Sequence, residues 1–308
     1  VAGTLPAFPG KAMRIAFFMR PDPADADAPR VTASTSEVSD EIVSLLRERG
    51  AEVNEIVPEA RAWDLSNLTP DYDLYVLKSK NPLDLDLAEA LERAGGRAIN
   101  TAQSSRLVKD KIVHTTLLAR EGVPQPQAWA VASLAALEDL LKELDTPCLV
   151  KPPAGSMQKG IYRLKHLDDL SRKDRDALRD GFVDDFGQPN PLLVQRQVPN
   201  DGCDVKLYVV GEWVAAVERP LDAQTEEEKR GTPVQIPPRI RDAALAAGRA
   251  MGLEIYGVDV LRAPEGDDFW VVDVNAFPSY KGIEGATERI AGLILKRAEG
   301  APAPSPSR

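Results

Sequence analysis

Tyr256-Gly257-Val258-Asp259-Val260-Leu261-Arg262, followed by Trp270-Val271-Val272-Asp273-Val274-Asn275, is the stretch on which the fold turns. Both runs are rich in β-branched and aromatic residues and read as strands. Ala263 to Asp268 reads as the turn, with Gly266 midway between the two aspartates. Carboxylates are rare inside apolar strands, because burying one without a partner is costly. A symmetric hairpin sets Asp259 opposite Asp273, with side chains about 5 Å apart. The two-residue period puts Asn275 on the same face as Asp273. Two carboxylates and an amide oxygen converging from apolar strands call for a cation, and an oxygen set with room for water and phosphate suits Mg2+. The competing reading is a solvated face of an ordinary hairpin. It leaves two like charges opposed with nothing to offset them, and the trio weighs against it.

Working back from this ribbon, Lys206 to Val210 and Trp213 to Glu218 flank Gly211-Glu212 as a second hairpin, with a helix from Arg239 to Met251 between the two hairpins. Hairpins favour antiparallel pairing. Lys206 alternates with apolar neighbours, and an inward lysine there needs an anion. A final helix spans Ala286 to Lys296. Upstream, Leu192 to Val198, Cys148 to Val150 and Gln127 to Val131 read as strands, with helices over Leu134 to Leu144 and Ser105 to Arg120. At the start of the chain, Met13 to Met19, Ala51 to Val57, Leu74 to Leu77 and Arg97 to Asn100 are strand-like. They alternate with a helix capped by Ser34 and Glu37 and another over Leu85 to Arg93, so this region predicts a parallel sheet with crossovers. The fold class is α/β at the start and α+β afterwards.

Leu149-Val150-Lys151-Pro152-Pro153 sets a lysine at the end of an apolar strand. The loop that follows, Ala154 to Gly160, carries Gly155, Ser156, Lys159 and Gly160. Glycines let backbone N–H groups approach phosphate oxygens, and lysine adds a point charge. The loop is no Walker A sequence, since GxxxxGK[ST] is absent, and a Gly/Ser turn with a solvated lysine is an equally good local reading. Lys111, beside Asp110 on an amphipathic helix, reads locally as a surface residue.

At 308 residues the chain has room for two or three lobes, and its hydrophobic content of 43% supplies a core. No apolar run approaches the ~20 residues that span a bilayer. Val1 to Lys11 lacks the layout of a secretory signal. Two cysteines and two histidines without metal-type spacing argue against thiolate or imidazole zinc chemistry. A net charge of -10 argues against nucleic acid as a partner. A cytoplasmic location is expected, with no membrane partner. Gly300 to Arg308, rich in Ala, Pro and Ser, reads as a disordered tail.

Taken in order, these motifs resemble the ATP-grasp superfamily and, within it, the RimK-like group. Asp110-Lys111, then Leu117-Leu118 and Gly122-Val123-Pro124, resembles the family's entry into its central domain. Lys151 is similar to its strand lysine, and Ser156 to Gly160 to its phosphate-covering loop. Gln195-Arg196-Gln197-Val198 resembles the linker that holds adenine through backbone groups. Gly202-Cys203-Asp204-Val205-Lys206 with Val209-Val210-Gly211 resembles its "GCD-x-R…VVG" strand. Asp259, Asp273 and Asn275 fall on the magnesium ligands.

The resemblance implies a three-lobed ATP-grasp fold: a leader over 1–12, an N-terminal α/β lobe over 13–103, a central lobe over 104–193, a C-terminal lobe over 194–298 and a tail over 299–308. ATP would lie between the last two lobes. Lys111 and Lys151 would contact the α- and β-phosphates, and two Mg2+ ions, replaceable by Mn2+, would be held by Asp259, Asp273 and Asn275. The implied reaction is ligation of a small-molecule carboxylate to an amine through an acyl phosphate, with Lys206 and Lys151 as catalytic cations. A homo-oligomer is compatible with such relatives. Three departures bear on the substrate. Lys206 stands where the ligases usually have arginine, Asp273 where they more often have glutamate, and Gln224 to Gly231 replaces their Arg…Asn…GlyGly segment. Lys206 to Gly211 and Asp273 to Tyr280 also resemble the inositol trisphosphate 5/6-kinases, so phosphorylation of a polyol or inositol phosphate is the alternative reaction. Lys78 and Lys80 are candidate cations for such a phosphorylated substrate, against a plain polar loop. A non-catalytic nucleotide-binding module is the reading from another class, and the intact trio argues against it.

Overall fold

The computed structural model describes residues 12–20, 37–78, 81–144, 146–151, 161–180, 190–280 and 282–300. The first sheet holds β1 (Arg14–Phe18), β2 (Glu52–Ile56), β3 (Leu74–Leu77) and β4 (Ala98–Ile99), in the order β2-β1-β3-β4 and parallel throughout. Helices α1 (Glu37–Glu48) and α2 (Pro82–Arg93) connect its strands. Leu74 to Leu77 is buried at every position, as a parallel strand covered on both faces requires. Ser34, expected to cap α1, lies outside the described residues.

The helix expected over Ser105 to Arg120 is two helices, α3 (Ala102–Lys109) and α4 (Lys111–Arg120). Asp110 between them is extended, and its carboxylate accepts from the N–H groups of Ile112 and Val113. An aspartate that caps the second helix gains more from the break than continuing the first would give it. The break makes Lys111 the first residue of α4.

A second, antiparallel sheet has the order β5-β8-β6-β7, from β5 (Ala128–Val131), β6 (Cys148–Lys151), β7 (Tyr162–Leu164) and β8 (Leu192–Arg196). With α5 (Leu134–Glu143) and α6 (Arg172–Asp180) it encloses a core of its own around Leu137, Cys148, Val150, Leu164, Leu178 and Val194. The sequence reading did not anticipate β7 or α6, whose charged residues hide their single buried position, Leu178.

The third sheet is antiparallel, ordered β11-β10-β9-β12-β13, from β9 (Cys203–Val210), β10 (Trp213–Pro220), β11 (Thr232–Pro233), β12 (Ile255–Arg262) and β13 (Phe269–Ala276). A short helix, α7 (Glu226–Arg230), precedes β11, and the sheet's outer face, with Leu207, Val209, Val258 and Val274, packs on α8 (Pro238–Met251). Its inner face changes character along the strands. Tyr208 and Val210, Ile255, and Phe277 just past β13 share one core with the first sheet, α1 and α9 (Ala286–Ala298). Further along the same face, two residues beyond Tyr208 and four beyond Ile255 and Phe277, stand Lys206, Asp259 and Asp273. The charged ends project beyond the apolar contact, and there the site lies. Two of the three sheets therefore share a core, while the middle one keeps its own. The expected divisions at 103/104 and 193/194 fall within α3 and β8.

Candidate active site

Asp259 pairs directly with Asp273 across β12 and β13, and Gly257 with Asn275. A β-bulge lies immediately on the turn side. Val260 pairs with Val271, so Val272 is the extra residue, and the hairpin is symmetric only up to the aspartates. Bulges re-aim neighbouring side chains, and Val271, Val272 and Asp273 all border the cleft toward the middle sheet. Gly257 permits a close approach: a Cβ there would sit 3.2 Å from the Pro278 ring and 3.3 Å from the Leu207 carbonyl. Phe277 and Tyr280, flanking Pro278 and Ser279, both have left-handed backbone, with φ of 43° and 53°. Non-glycine residues hold such angles only where the surroundings fix them. Here the Tyr280 hydroxyl, within 2.6 Å of the Val209 carbonyl and 3.0 Å of the Tyr256 carbonyl, does so.

Lys206 lies opposite Asp259 on β9, with its Nζ 2.6 Å from Oδ1. From the other side, Lys111 at the start of α4 donates to Asp273 Oδ1 at 2.5 Å. The row across the ribbon thus runs Lys206, Asp259, Asp273, Lys111, with a cation at each end of two facing carboxylates. One rung further, Arg219 of β10 lies opposite Asp204 and holds it bidentately at 2.7 and 2.8 Å, while its Nη2 lies 3.9 Å from Asp259. Asn275 Nδ2 donates to Asp273 Oδ2 at 3.2 Å, leaving the amide oxygen as a donor atom for a ligand.

Burial raises Asp259 above the ordinary carboxylate value and the facing Asp273 adds to this, against the pull of Lys206. Burial pushes Asp273 up as well, but Lys111, His114 and Lys151 together carry it below the ordinary value. Lys206 is raised, because Asp259 outweighs the cost of its own burial. Lys151, at the end of β6, falls from 10.5 to about 8 through burial and the nearby Lys111, with Asp273 in opposition. Among the described residues the Lys151 side chain has no hydrogen-bond or ion-pair partner, so it is a half-buried amine with room for an anion.

No three His, Cys, Asp or Glu side chains among the described residues converge as a metal site. The candidate is two carboxylates and an amide. Their chemistry fits a divalent cation: hard oxygen donors whose charge is balanced here by lysines drawn in from either flank and, at longer range, by Arg219.

The cleft between α4, the middle sheet and β13 is lined by Lys111, His114, Lys151, Gln195 and Asp273 among others. The local reading of Lys111 as a surface residue is corrected, since it turns inward to Asp273. His114, which the sequence offered no reason to single out, lies in the cleft wall, 4% exposed, and burial lowers it to about 4. Nothing but its spacing of three from Lys111 on one helix could have indicated this. Arg219 was also missed, because an arginine between Glu218 and Pro220 reads as a strand end.

Of the linker residues, Gln195 is buried in the cleft wall. The N–H groups of Arg196 and Gln197 bond to the carbonyls of Gln127 and Pro147, and the Gln197 side chain accepts from Arg163 at 2.6 Å. Val198 is buried beside them. Asp204 is engaged by Arg219, as described. Ser156, Lys159 and Gly160 lie outside the described residues, as does Lys80. Lys78 is described: its Nζ lies 3.3 Å from the Pro278 carbonyl and 4.5 Å from the centre of the Phe277 ring. No described helix is long and apolar enough to cross a membrane.

The family model for the RimK-like ATP-grasp domain matches residues 108–296. The chain is 31% identical over 239 residues to the ribosomal protein bS6–L-glutamate ligase of Salmonella schwarzengrund, covering 74% of this chain and 76% of that protein. Among solved structures, a RimK domain ATP-grasp protein from Sphaerobacter thermophilus superposes with a TM-score of 0.69 at 19% identity, over 92% of this chain and 98% of that one. The ATP-grasp ligase PsnB, complexed with minimal precursor, Mg and ADP, superposes with a TM-score of 0.64 at 17% identity, over 93% and 98%. The Salmonella protein and PsnB are ligases by name, which does not favour the kinase alternative, and ligases of this fold use ATP and Mg2+ in general. The chain belongs to the RimK-like ATP-grasp family of ligases.

Proposed function

We propose that this enzyme joins a carboxylate to an amine through an acyl phosphate, with the row Lys206, Asp259, Asp273, Lys111 as its phosphoryl-transfer centre. The observation that carries the reading is the pair of facing, half-buried carboxylates, flanked by lysines and open to a cleft that holds the unpartnered Lys151. Asp259, Asp273 and Asn275 would hold two Mg2+ ions, or Mn2+, which when bound neutralise charge on the phosphate oxygens. Lys111 and Lys151 bind the α- and β-phosphates. The Val198 N–H, which has no backbone partner among the described residues, receives the adenine edge; Ser156, Lys159 and Gly160 belong to the loop expected over the phosphates. On the far side Lys206, and Arg219 held by Asp204, steady the substrate carboxylate. Its oxygen attacks the γ-phosphorus and ADP departs. The amine then attacks the acyl carbon, loses a proton and expels inorganic phosphate.

The relative from Salmonella acts on a ribosomal protein and glutamate by its name. A peptide or protein acceptor therefore stands beside small carboxylates as a candidate, and a cytoplasmic setting, where ATP is abundant, fits. The test is an ADP-release screen of amino acids, small carboxylates, peptides and inositol phosphates, with phosphorus NMR of every hit. Ligation yields free phosphate, and 18O from the labelled carboxylate appears in it. A stable phosphate ester, or phosphate without transferred 18O, defeats the reading.

A further inference from the structure

His114 lies one turn beyond Lys111 on α4, buried in the cleft wall with Lys151, Gln195 and Asp273. Its ring lies beside the Val108 backbone, while Nδ1 is buried and has no partner among the described residues. With Nε2 turned to that backbone, Nδ1 is the nitrogen left as a bare lone pair in the cleft wall. A buried acceptor left without a donor costs about as much as a broken hydrogen bond. Its nearest candidate donors are otherwise disposed. Lys111 is spent on Asp273 at 2.5 Å, and Lys151, unpartnered here, is assigned above to the phosphates. Phosphate oxygens bring no proton at neutral pH. Within a magnesium nucleotide whose adenine amine faces the linker, the donors left are O–H groups.

We propose that His114 is a nucleotide-positioning residue whose Nδ1 accepts a hydrogen bond from an O–H of the bound nucleotide assembly, either a ribose hydroxyl or a water of the cation's shell. The inference rests on the ATP reading above. It gives the cleft an acceptor between its two lysines, so the triphosphate is oriented as well as neutralised.

The chain has two histidines, so His166→Gln in the full-length protein leaves a single imidazole to follow by 1H–15N NMR. Without nucleotide, Nδ1 should resonate as an unbonded pyridine-type nitrogen, and Mg–ADP should move it upfield. His114→Leu should weaken Mg–ADP binding by about five- to tenfold, and His114→Asn, which returns an acceptor oxygen near the Nδ1 position, should restore most of it. If a ribose hydroxyl is the donor, 2′-deoxy-ADP or 3′-deoxy-ADP loses affinity in the wild type and nothing further in His114→Leu. If a shell water is the donor, both deoxynucleotides lose equally in the two proteins, and the leucine variant instead needs more Mg2+ to bind ADP. An Nδ1 resonance unmoved by saturating Mg–ADP overturns the proposal, as does wild-type affinity in a folded His114→Leu protein. Should the leucine variant fail to fold, the NMR shift decides alone. Failure of the wild type to bind Mg–ADP would instead remove the nucleotide reading itself.

Discussion

Asp259 and Asp273 face each other across one hairpin, yet their surroundings oppose one another. Asp273 looks into the nucleotide cleft, where Lys111, Lys151 and His114 hold it below the ordinary carboxylate value. Asp259 looks back over the sheet, where burial and the facing carboxylate keep it raised and Lys206 only partly compensates. Lys206 and Asp259 have side chains 12% and 15% exposed, against 17% and 28% for Lys111 and Asp273. On the proposed function, this difference divides the centre into a nucleotide arm and an acceptor arm, with the proposed cation ligands at the join.

Removing the join should have the largest effect. Asp273→Asn is expected to lower kcat by roughly a thousandfold or more, the scale of losing a centre of charge stabilisation, with circular dichroism and Tm little changed. Wild-type turnover in that variant would break the comparison outright. Next come the arms. Lys111→Met should weaken Mg–ADP binding by about tenfold to a hundredfold, as expected for a lost charge-assisted contact. Arg219→Leu should leave that affinity intact and reduce kcat/KM for the carboxylate substrate by a similar factor. Equal losses of ADP affinity in both variants would erase the distinction between arms.

A smaller effect concerns pH. Between about 8 and 10.5 the unfolded chain holds the Lys151 proton while the folded, nucleotide-free protein has released it. Unfolding free energy should therefore rise with pH across that window, by an amount that disappears in Lys151→Met. Over the same range nucleotide affinity should fall, because the neutral amine no longer attracts phosphate. Urea titrations at pH 8 and 10 check the first, and calorimetric titration with Mg–ADP the second. The smallest expected change is for Asp204→Asn, which keeps the site's shape but weakens the grip on Arg219. About a threefold to tenfold loss in kcat/KM for the carboxylate is anticipated from one weakened charge-assisted bond, with no change in ADP affinity.

The join was largely legible in the sequence because its signal is local, whereas Lys111 and Lys151 of the nucleotide arm were given a role by the resemblance and not by their local surroundings. Two aspartates set among valines, with a turn midway, fix their own pairing, and the structure has Asp259 opposite Asp273. The bulge at Val272 was not legible, since either of two consecutive valines can be the unpaired one. The acceptor arm was half hidden. Arg219 reaches Asp204 and approaches Asp259 only because β9 lies between β10 and β12, an order that no local pattern states. The split of α3 from α4 was hidden too, because Asp110 within a helical period looks like any exposed residue until its carboxylate is seen capping the next turn.

Asn100, at the end of β4, has a consequence for how such a molecule can open. Its amide donates to the Ile255 carbonyl at 2.7 Å and accepts from the N–H groups of Glu254 and Ile255 at 2.8 and 3.1 Å. Nearby, Arg97 donates to the last carbonyls of α9, at Arg297 and Ala298. Parting the first sheet from the third would strand these groups and split a common core, whereas the middle sheet carries its own interior with it. Opening of the cleft would therefore move the middle sheet as a single jaw against an anvil of two sheets, with the ribbon of Asp259 and Asp273 on the anvil's side.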